Sequence, residues 1–158
     1  MKSRVNIVVS TYNGEKYIKE QMDSLLAQDY DNIRIYVRDD ESSDNTLKIL
    51  RQYEKQGDIC VIQGKNKGFS ASFFNVLEYA KEGEYWAFCD QDDIWLENKL
   101  ITGIKNIENF DKSKPNLYFS NLMMMNNDGQ LLGMLLDDKA ISCNRSNALA
   151  SIGTYGCT

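Results

Sequence analysis

Histidine is absent from the 158 residues. That absence removes whole classes of chemistry: no Ser-His-Asp or Cys-His arrangement can form, and no HExxH zinc site. Acid–base work is left to carboxylates, Lys, Tyr or a metal-bound group. The four cysteines, Cys60, Cys89, Cys143 and Cys157, form no CxxC pair. They are read as reduced and structural, with Cys60 and Cys89 serving as small apolar side chains inside predicted strands. The only proline is Pro115. Net charge is −5 with no basic stripe, which argues against a nucleic-acid partner. No apolar run approaches the roughly 20 residues of a membrane span, and no signal peptide is seen, so the expected location is the cytoplasm. What is present, 42% apolar and 11% aromatic residues, is the composition of a folded globular domain, and the length suits a single one over 1–158.

The most informative stretch is an apolar strand, Tyr85-Trp86-Ala87-Phe88-Cys89, that ends in Asp90-Gln91-Asp92-Asp93. Like charges this close raise one another's pKa unless a cation neutralises them. Oxygen ligands at a strand end suit Mg²⁺ or Mn²⁺, which keep open positions for substrate phosphates. The competing reading is an acidic, solvated turn.

The rest of the chain decides between them. Val5 to Ser10 is a β-branched run suited to a buried strand, broken by Thr11-Tyr12-Asn13-Gly14. Ile18, Met22, Leu25 and Leu26 then fall on one helical face. Ile33 to Val37 is a second strand, leading into Arg38-Asp39-Asp40. Ser42-Ser43-Asp44 offers N-cap candidates for a helix turning Leu47, Leu50 and Tyr53 inward, with Gly57 just past its end. Ile59 to Ile62 is a third strand. Phe69, Phe73, Val76, Leu77 and Ala80 predict a third amphipathic helix stopped at Gly83. Beyond Trp95 a helix is expected over 96–110, then a hairpin of Leu117–Met125 and Leu131–Leu136 around Asn127-Asp128-Gly129, with Met123 to Met125 in strand and core.

Strands alternating with helices predict an α/β fold: a Rossmann-like, mostly parallel sheet with helices on both faces. Ligands bind beyond the carboxyl ends of such strands. Thr11-Tyr12-Asn13, Asp39-Asp40 and Asp90 to Asp93 all fall there, so polar groups from distant sequence converge on one rim. That convergence disfavours the solvated turn. Other motifs fail. Gly64 to Ser70 is not GxxxxGK[ST], no GxGxxG follows the first strand, and an EF-hand starting at Asp39 would put Asp44 where glycine is needed and Leu50 where glutamate is needed.

Ile7 to Asn13, then Val37 to Thr46, then Asn66-Lys67-Gly68, then Asp90 to Asp93, resemble in order and spacing the N-terminal blocks of family-2 glycosyltransferases. Phe88 to Trp95 is especially similar to the rhamnosyltransferase-like branch. The resemblance implies a GT-A fold and inverting transfer of a sugar, such as L-rhamnose from dTDP-rhamnose, to a glycan or lipid-linked acceptor of cell-surface polysaccharide. By position it implies that Thr11 and Tyr12 border the nucleobase, with Tyr12 giving a ring face and backbone hydrogen bonds. Asp40 would accept the pyrimidine N3–H. Asn66 and Gly68 to Ser70 would turn helix N–H groups toward the diphosphate. Asp92 would ligate Mg²⁺ or Mn²⁺, Asp90 would reach the ribose or sugar, Asp93 would cap the next helix or else support the metal from behind its ligands, and Trp95 would pack in the core or else wall the donor pocket. The donor is expected to be dTDP- or UDP-linked.

The family's catalytic base lies about a hundred residues past the acidic cluster, so it is expected beyond Thr158. Asp137 and Asp138 are candidates only if the fold departs from the family's. The chain thus reads as a donor-binding part lacking its C-terminal acceptor part, working at the inner membrane face and able to pair with a second copy through an open strand edge. Two other readings stand beside it: a nucleotide-sugar-binding module with no reaction, and a pyrophosphorylase, whose Gly-rich loop after the first strand is not seen.

Overall fold

A computed structural model describes residues 2–126 and 128–134. Its centre is β1 (Val5–Thr11), where every residue except Ser10 is buried. A parallel strand covered on both faces needs apolar residues almost continuously, and the run Val-Asn-Ile-Val-Val supplies them. β2 (Ile33–Asp39) pairs with one side of β1, β3 (Ile59–Gln63) pairs with β2, and β4 (Tyr85–Cys89) pairs with the other side of β1. The order is β3-β2-β1-β4, all parallel.

Alternation along the strands sorts the core into two layers. Val5, Ile7 and Val9 share one face with Ile35, Val37, Ile59, Val61 and Cys89. This face is covered by Ile18, Met22 and Leu25 of α1 (Ile18–Leu26), Leu50 of α2 (Thr46–Gln56), and Leu100 and Ile104 of α4 (Lys99–Ile107). Val8 and Ile62 point the other way, onto Phe73, Val76 and Ala80 at α3 (Phe69–Tyr79) and its end. Helices therefore cover both faces, as the sequence pattern requires. Trp95 is buried in the first layer. Cys60 and Cys89 are free thiols, whereas Cys143 and Cys157 lie outside the described residues.

The connections explain where a ligand fits. The chain steps outward from β1 to β2 to β3 and then returns past both to place β4 against the opposite side of β1. The change of direction opens a crevice at the carboxyl ends of β1 and β4, the place where open α/β sheets take their ligands.

Element boundaries moved modestly, and for local reasons. α2 starts from Asn45, not from Ser42 to Asp44, although Asp44 accepts the Thr46 N–H at 2.9 Å. Gly57 ends α2 in the left-handed conformation, φ +88°, as expected of a glycine there. α3 stops at Ala80, ahead of Gly83. Gly83 instead leaves room for Asn6, whose Nδ2 donates to the Ala80 and Glu82 carbonyls; a Cβ at Gly83 would sit 2.5 Å from that nitrogen.

Three expectations about side chains are corrected. Phe69, at the first position of α3, is 62% exposed rather than core, and its ring meets Phe73 edge-on at 5.0 Å. Met123 to Met125 form β5 (Met123–Met125) but are exposed, since among the described residues β5 pairs only with β6 (Leu131–Met134), in a separate antiparallel ribbon. A two-stranded ribbon has no second layer of its own to bury a face. Asp93 does not cap α4, whose N-cap is Asn98.

Candidate functional site

Two loops leave the rim side by side, the β1–α1 loop and the β2–α2 loop, and their polar residues lock them together. Asn13 has φ 49°, a left-handed conformation that asparagine tolerates. That turn lets its Oδ1 accept the Ser43 N–H at 2.8 Å while its own N–H donates to Ser42 Oγ at 2.9 Å. The Gly14 N–H donates to Thr46 Oγ1 at 2.8 Å, and Glu15 Oε2 accepts from the Asn45 N–H at 2.7 Å. Each loop thereby satisfies backbone donors of the other. The result is a fixed ledge on which Tyr12 stands half exposed at 49%.

The acidic turn joins this ledge through Gln91. Its Oε1 accepts from Thr11 Oγ1 and from the Tyr12 N–H, both at 2.8 Å, and its Nε2 donates to the Tyr12 carbonyl at 3.2 Å. Thr11 is buried, and its hydroxyl is committed to Gln91. The Tyr12 backbone, expected to be open for hydrogen bonds, is engaged as well. What Tyr12 leaves exposed is its ring. Behind the turn, buried Gln21 of α1 donates to the Asp90 carbonyl and to Cys89 Sγ.

Asp40 and Asp39 part company. Asp39 is fully buried; its Oδ2 accepts the Ser42 N–H at 3.2 Å and its Oδ1 has no partner among the described residues. Asp40 turns to the α3 side, where it pairs with buried Arg38 and accepts the N–H groups of Lys67 (3.0 Å) and Gly68 (3.1 Å). The Lys67 N–H also reaches the second oxygen at 3.1 Å, so these contacts already fill the carboxylate's about four lone-pair positions. The Gly68 N–H, expected to face a diphosphate, is thus already satisfied by an anion of the chain itself. Asn66 lies beside it, its Oδ1 also accepting from the Gly68 N–H at 3.0 Å and its own N–H reaching Glu41 Oε2 at 3.1 Å.

Asp90 is about half buried, and burial together with the charges of Asp93 and Asp92 pushes its pKa up to about 6. The sign for stability follows directly. The unfolded carboxyl ionises near 3.8, so between that pH and about 6 the unfolded chain loses a proton that the folded one keeps. Stability contributed by this group is therefore lost as pH rises through that window. In metal-free buffer, Asp90→Asn is expected to be more stable than wild type above pH 6, by about 1 kcal/mol once solvent screening of a half-exposed group is allowed for. The difference should close toward pH 4; urea unfolding across pH 4–8 measures it.

The excess of negative charge around Asp90 is what a cation would relieve. Asp92 is exposed at the lip of the turn. Among the described residues no three acidic or thiol groups are clustered as a complete metal cage. That donor set fits Mg²⁺ or Mn²⁺ of the kind held by one or two carboxylates and completed by substrate phosphates.

Comparison with known proteins agrees with the architecture. The family model for "Glycosyl transferase family 2" matches residues 6–131. The chain belongs to that family. Its relatives include glycosyltransferase GlyG of Streptococcus pneumoniae serotype 4, 34% identical over 75% of this chain and 44% of the relative. They also include the dTDP-rhamnosyl transferase RfbG of Shigella flexneri, 32% identical over 95% of this chain and 52% of the relative. The chain thus spans about half the length of these relatives. Among solved structures, TarS 1–349 of S. aureus in complex with UDP superposes with a TM-score of 0.61 at 33% identity, over 66% of this chain and 32% of that one. The mannosyltransferase PcManGT of Pyrobaculum calidifontis, in complex with GDP-Man and Mn²⁺, does so at 0.59 and 27% identity, over the same shares. The parallel sheet with helices on both faces is the glycosyltransferase GT-A architecture.

Of the residues singled out from the sequence, Thr11 and Tyr12 meet Gln91, the residue after Asp90, while Asp40 and Asn66 both meet the Gly68 N–H at the start of α3. Sequence reasoning missed Arg38 and Gln91. Each is a polar residue inside a motif, and its neighbours Asp39, Asp40, Asp90 and Asp92 carried the argument instead.

Proposed function

We propose that this glycosyltransferase chain forms the donor side of a metal-dependent, inverting sugar transferase using a pyrimidine nucleoside diphosphate sugar. The observation that carries the reading is the pairing, at the β1/β4 crevice, of an exposed Tyr12 ring with a charge-crowded Asp90–Asp92 turn. The ring offers a surface for a nucleobase, and the turn offers carboxylates to the metal–diphosphate end. Asp40 would take the base N3–H in exchange for one of its two contacts with the Lys67 N–H, and Asp90 would reach the ribose or sugar. Asp92 would hold Mg²⁺ or Mn²⁺ with the phosphates; when bound, the ion neutralises charge growing on the leaving diphosphate. The acceptor oxygen bonds to the anomeric carbon as the carbon–diphosphate bond breaks, and the hydroxyl proton passes to a carboxylate base.

By the family's pattern that base would come from the acceptor side, well past the acidic turn. Asp137 and Asp138 lie outside the described residues. The acceptor is a glycan or lipid-linked sugar of a cell-surface polysaccharide, reached at the inner membrane face; no described helix is long and apolar enough to cross a membrane. The name of the Shigella relative supports dTDP-rhamnose as donor, and residues 1–158 alone are expected to bind donor but transfer sugar poorly.

Calorimetric titration of dTDP, UDP and GDP, each with and without Mn²⁺, tests the reading. The expected result is metal-strengthened binding of dTDP or UDP over GDP. Failure of both pyrimidine diphosphates to bind under either condition would overturn it.

A further inference from the structure

The β1–β4 pairing ends at Val9 and Cys89. Beyond it the two chains separate into the Tyr12 ledge and the acidic turn, and no backbone ladder joins them. Gln91 replaces the ladder. Its side-chain amide exchanges one acceptor and one donor with the Tyr12 backbone, as a paired peptide would, and takes the Thr11 hydroxyl as a third bond. Gly14 makes this possible: a Cβ there would stand 2.7 Å from Gln91 Oε1. Gln91 is itself partly exposed and outside both core layers, so its bonds act on the rim.

We propose that Gln91 is a positioning residue that fixes the Tyr12 ring relative to the turn carrying Asp90 and Asp92, so that the base and diphosphate ends of the donor are held as one site. The proposal rests on the donor-site reading and adds to it a residue that touches neither end of the ligand. Two weak half-sites at a fixed spacing bind a ligand spanning both far better than either fragment, because ordering is settled before binding. Loosening the spacing should cost the whole ligand more than its parts.

The test compares UDP with its fragments, uridine and inorganic pyrophosphate, in Mn²⁺. Gln91→Ala should weaken UDP about tenfold, while each fragment changes less than about twofold and the thermal midpoint stays close to wild type. Gly14→Ala, which displaces the amide without removing it, should weaken UDP similarly, yet add little in the Gln91→Ala background because both act through one contact. Should Gln91→Ala fail to fold, Gly14→Ala carries the same fragment comparison. Unchanged UDP affinity, fragments weakened in step with UDP, or additive losses would each overturn the proposal. A wild-type chain that binds neither UDP nor dTDP, nor the fragments, would instead overturn the donor-site reading, and this inference with it.

Discussion

Replacing Asp92 with alanine is expected to erase the part of nucleotide-diphosphate affinity that depends on divalent metal, a loss of about 100-fold in Mn²⁺. The magnitude follows from ligand chemistry: even residues that merely orient a metal ligand cost about 10- to 100-fold in metal affinity when removed, and Asp92 would be a ligand. It is exposed and outside both core layers, so the fold should survive. Without metal, mutant and wild type should bind UDP or dTDP within about twofold of each other, since exposed groups contribute little on their own. Titrations with and without Mn²⁺ give both numbers; an Asp92→Ala protein that keeps its metal dependence would move the ion to another carboxylate.

How much of this was legible before the structure depends on the kind of signal. The four strands and the helices between them were readable because a parallel strand buried on both faces demands runs such as Ile7-Val8-Val9, and helices covering it demand one apolar stripe. The rim followed from topology, since parallel order puts Thr11, Asp39, Asp40 and Asp90 at the same end. What stayed hidden were residues whose role lies in a partner. Arg38 in a strand reads as a solvated charge, yet only 1% of it is exposed. Gln91 between two aspartates reads as turn filler, and only the space above Gly14 shows where its amide goes. Met123 to Met125 misled in the opposite direction: apolar strands imply a core only where a second layer exists to supply one.

Arg38→Met is expected to destabilise the chain by about 3–5 kcal/mol, because it leaves the Asp40 carboxylate buried without its counter-charge. Against the 5–15 kcal/mol typical of a whole domain, that is close to unfolding. The guanidinium spreads its donors in three directions: Nη1 to Asp40 and to Ser72 Oγ (3.1 Å), Nε to Asn75 Oδ1 (3.0 Å), and Nη2 to the Lys65 carbonyl (2.9 Å). It therefore ties β2 to α3 and to the 64–68 loop at once, and Gly64 clears the way, since a Cβ there would fall 2.7 Å from Nη2. Lysine carries its donors on one nitrogen and cannot reproduce that fork, so Arg38→Lys should recover only part of the loss. Removing both charges, as Arg38→Met with Asp40→Leu, should recover more than lysine does, because no unpaired charge is left inside. The recovery stops short of wild type, since the Lys67 N–H then loses its acceptor and the Gly68 N–H keeps only Asn66 Oδ1. Urea unfolding of the four proteins separates these contributions. A double variant no more stable than Arg38→Met would show that satisfying the loop's N–H groups, and not neutralising a buried charge, is what Asp40 and Arg38 jointly accomplish.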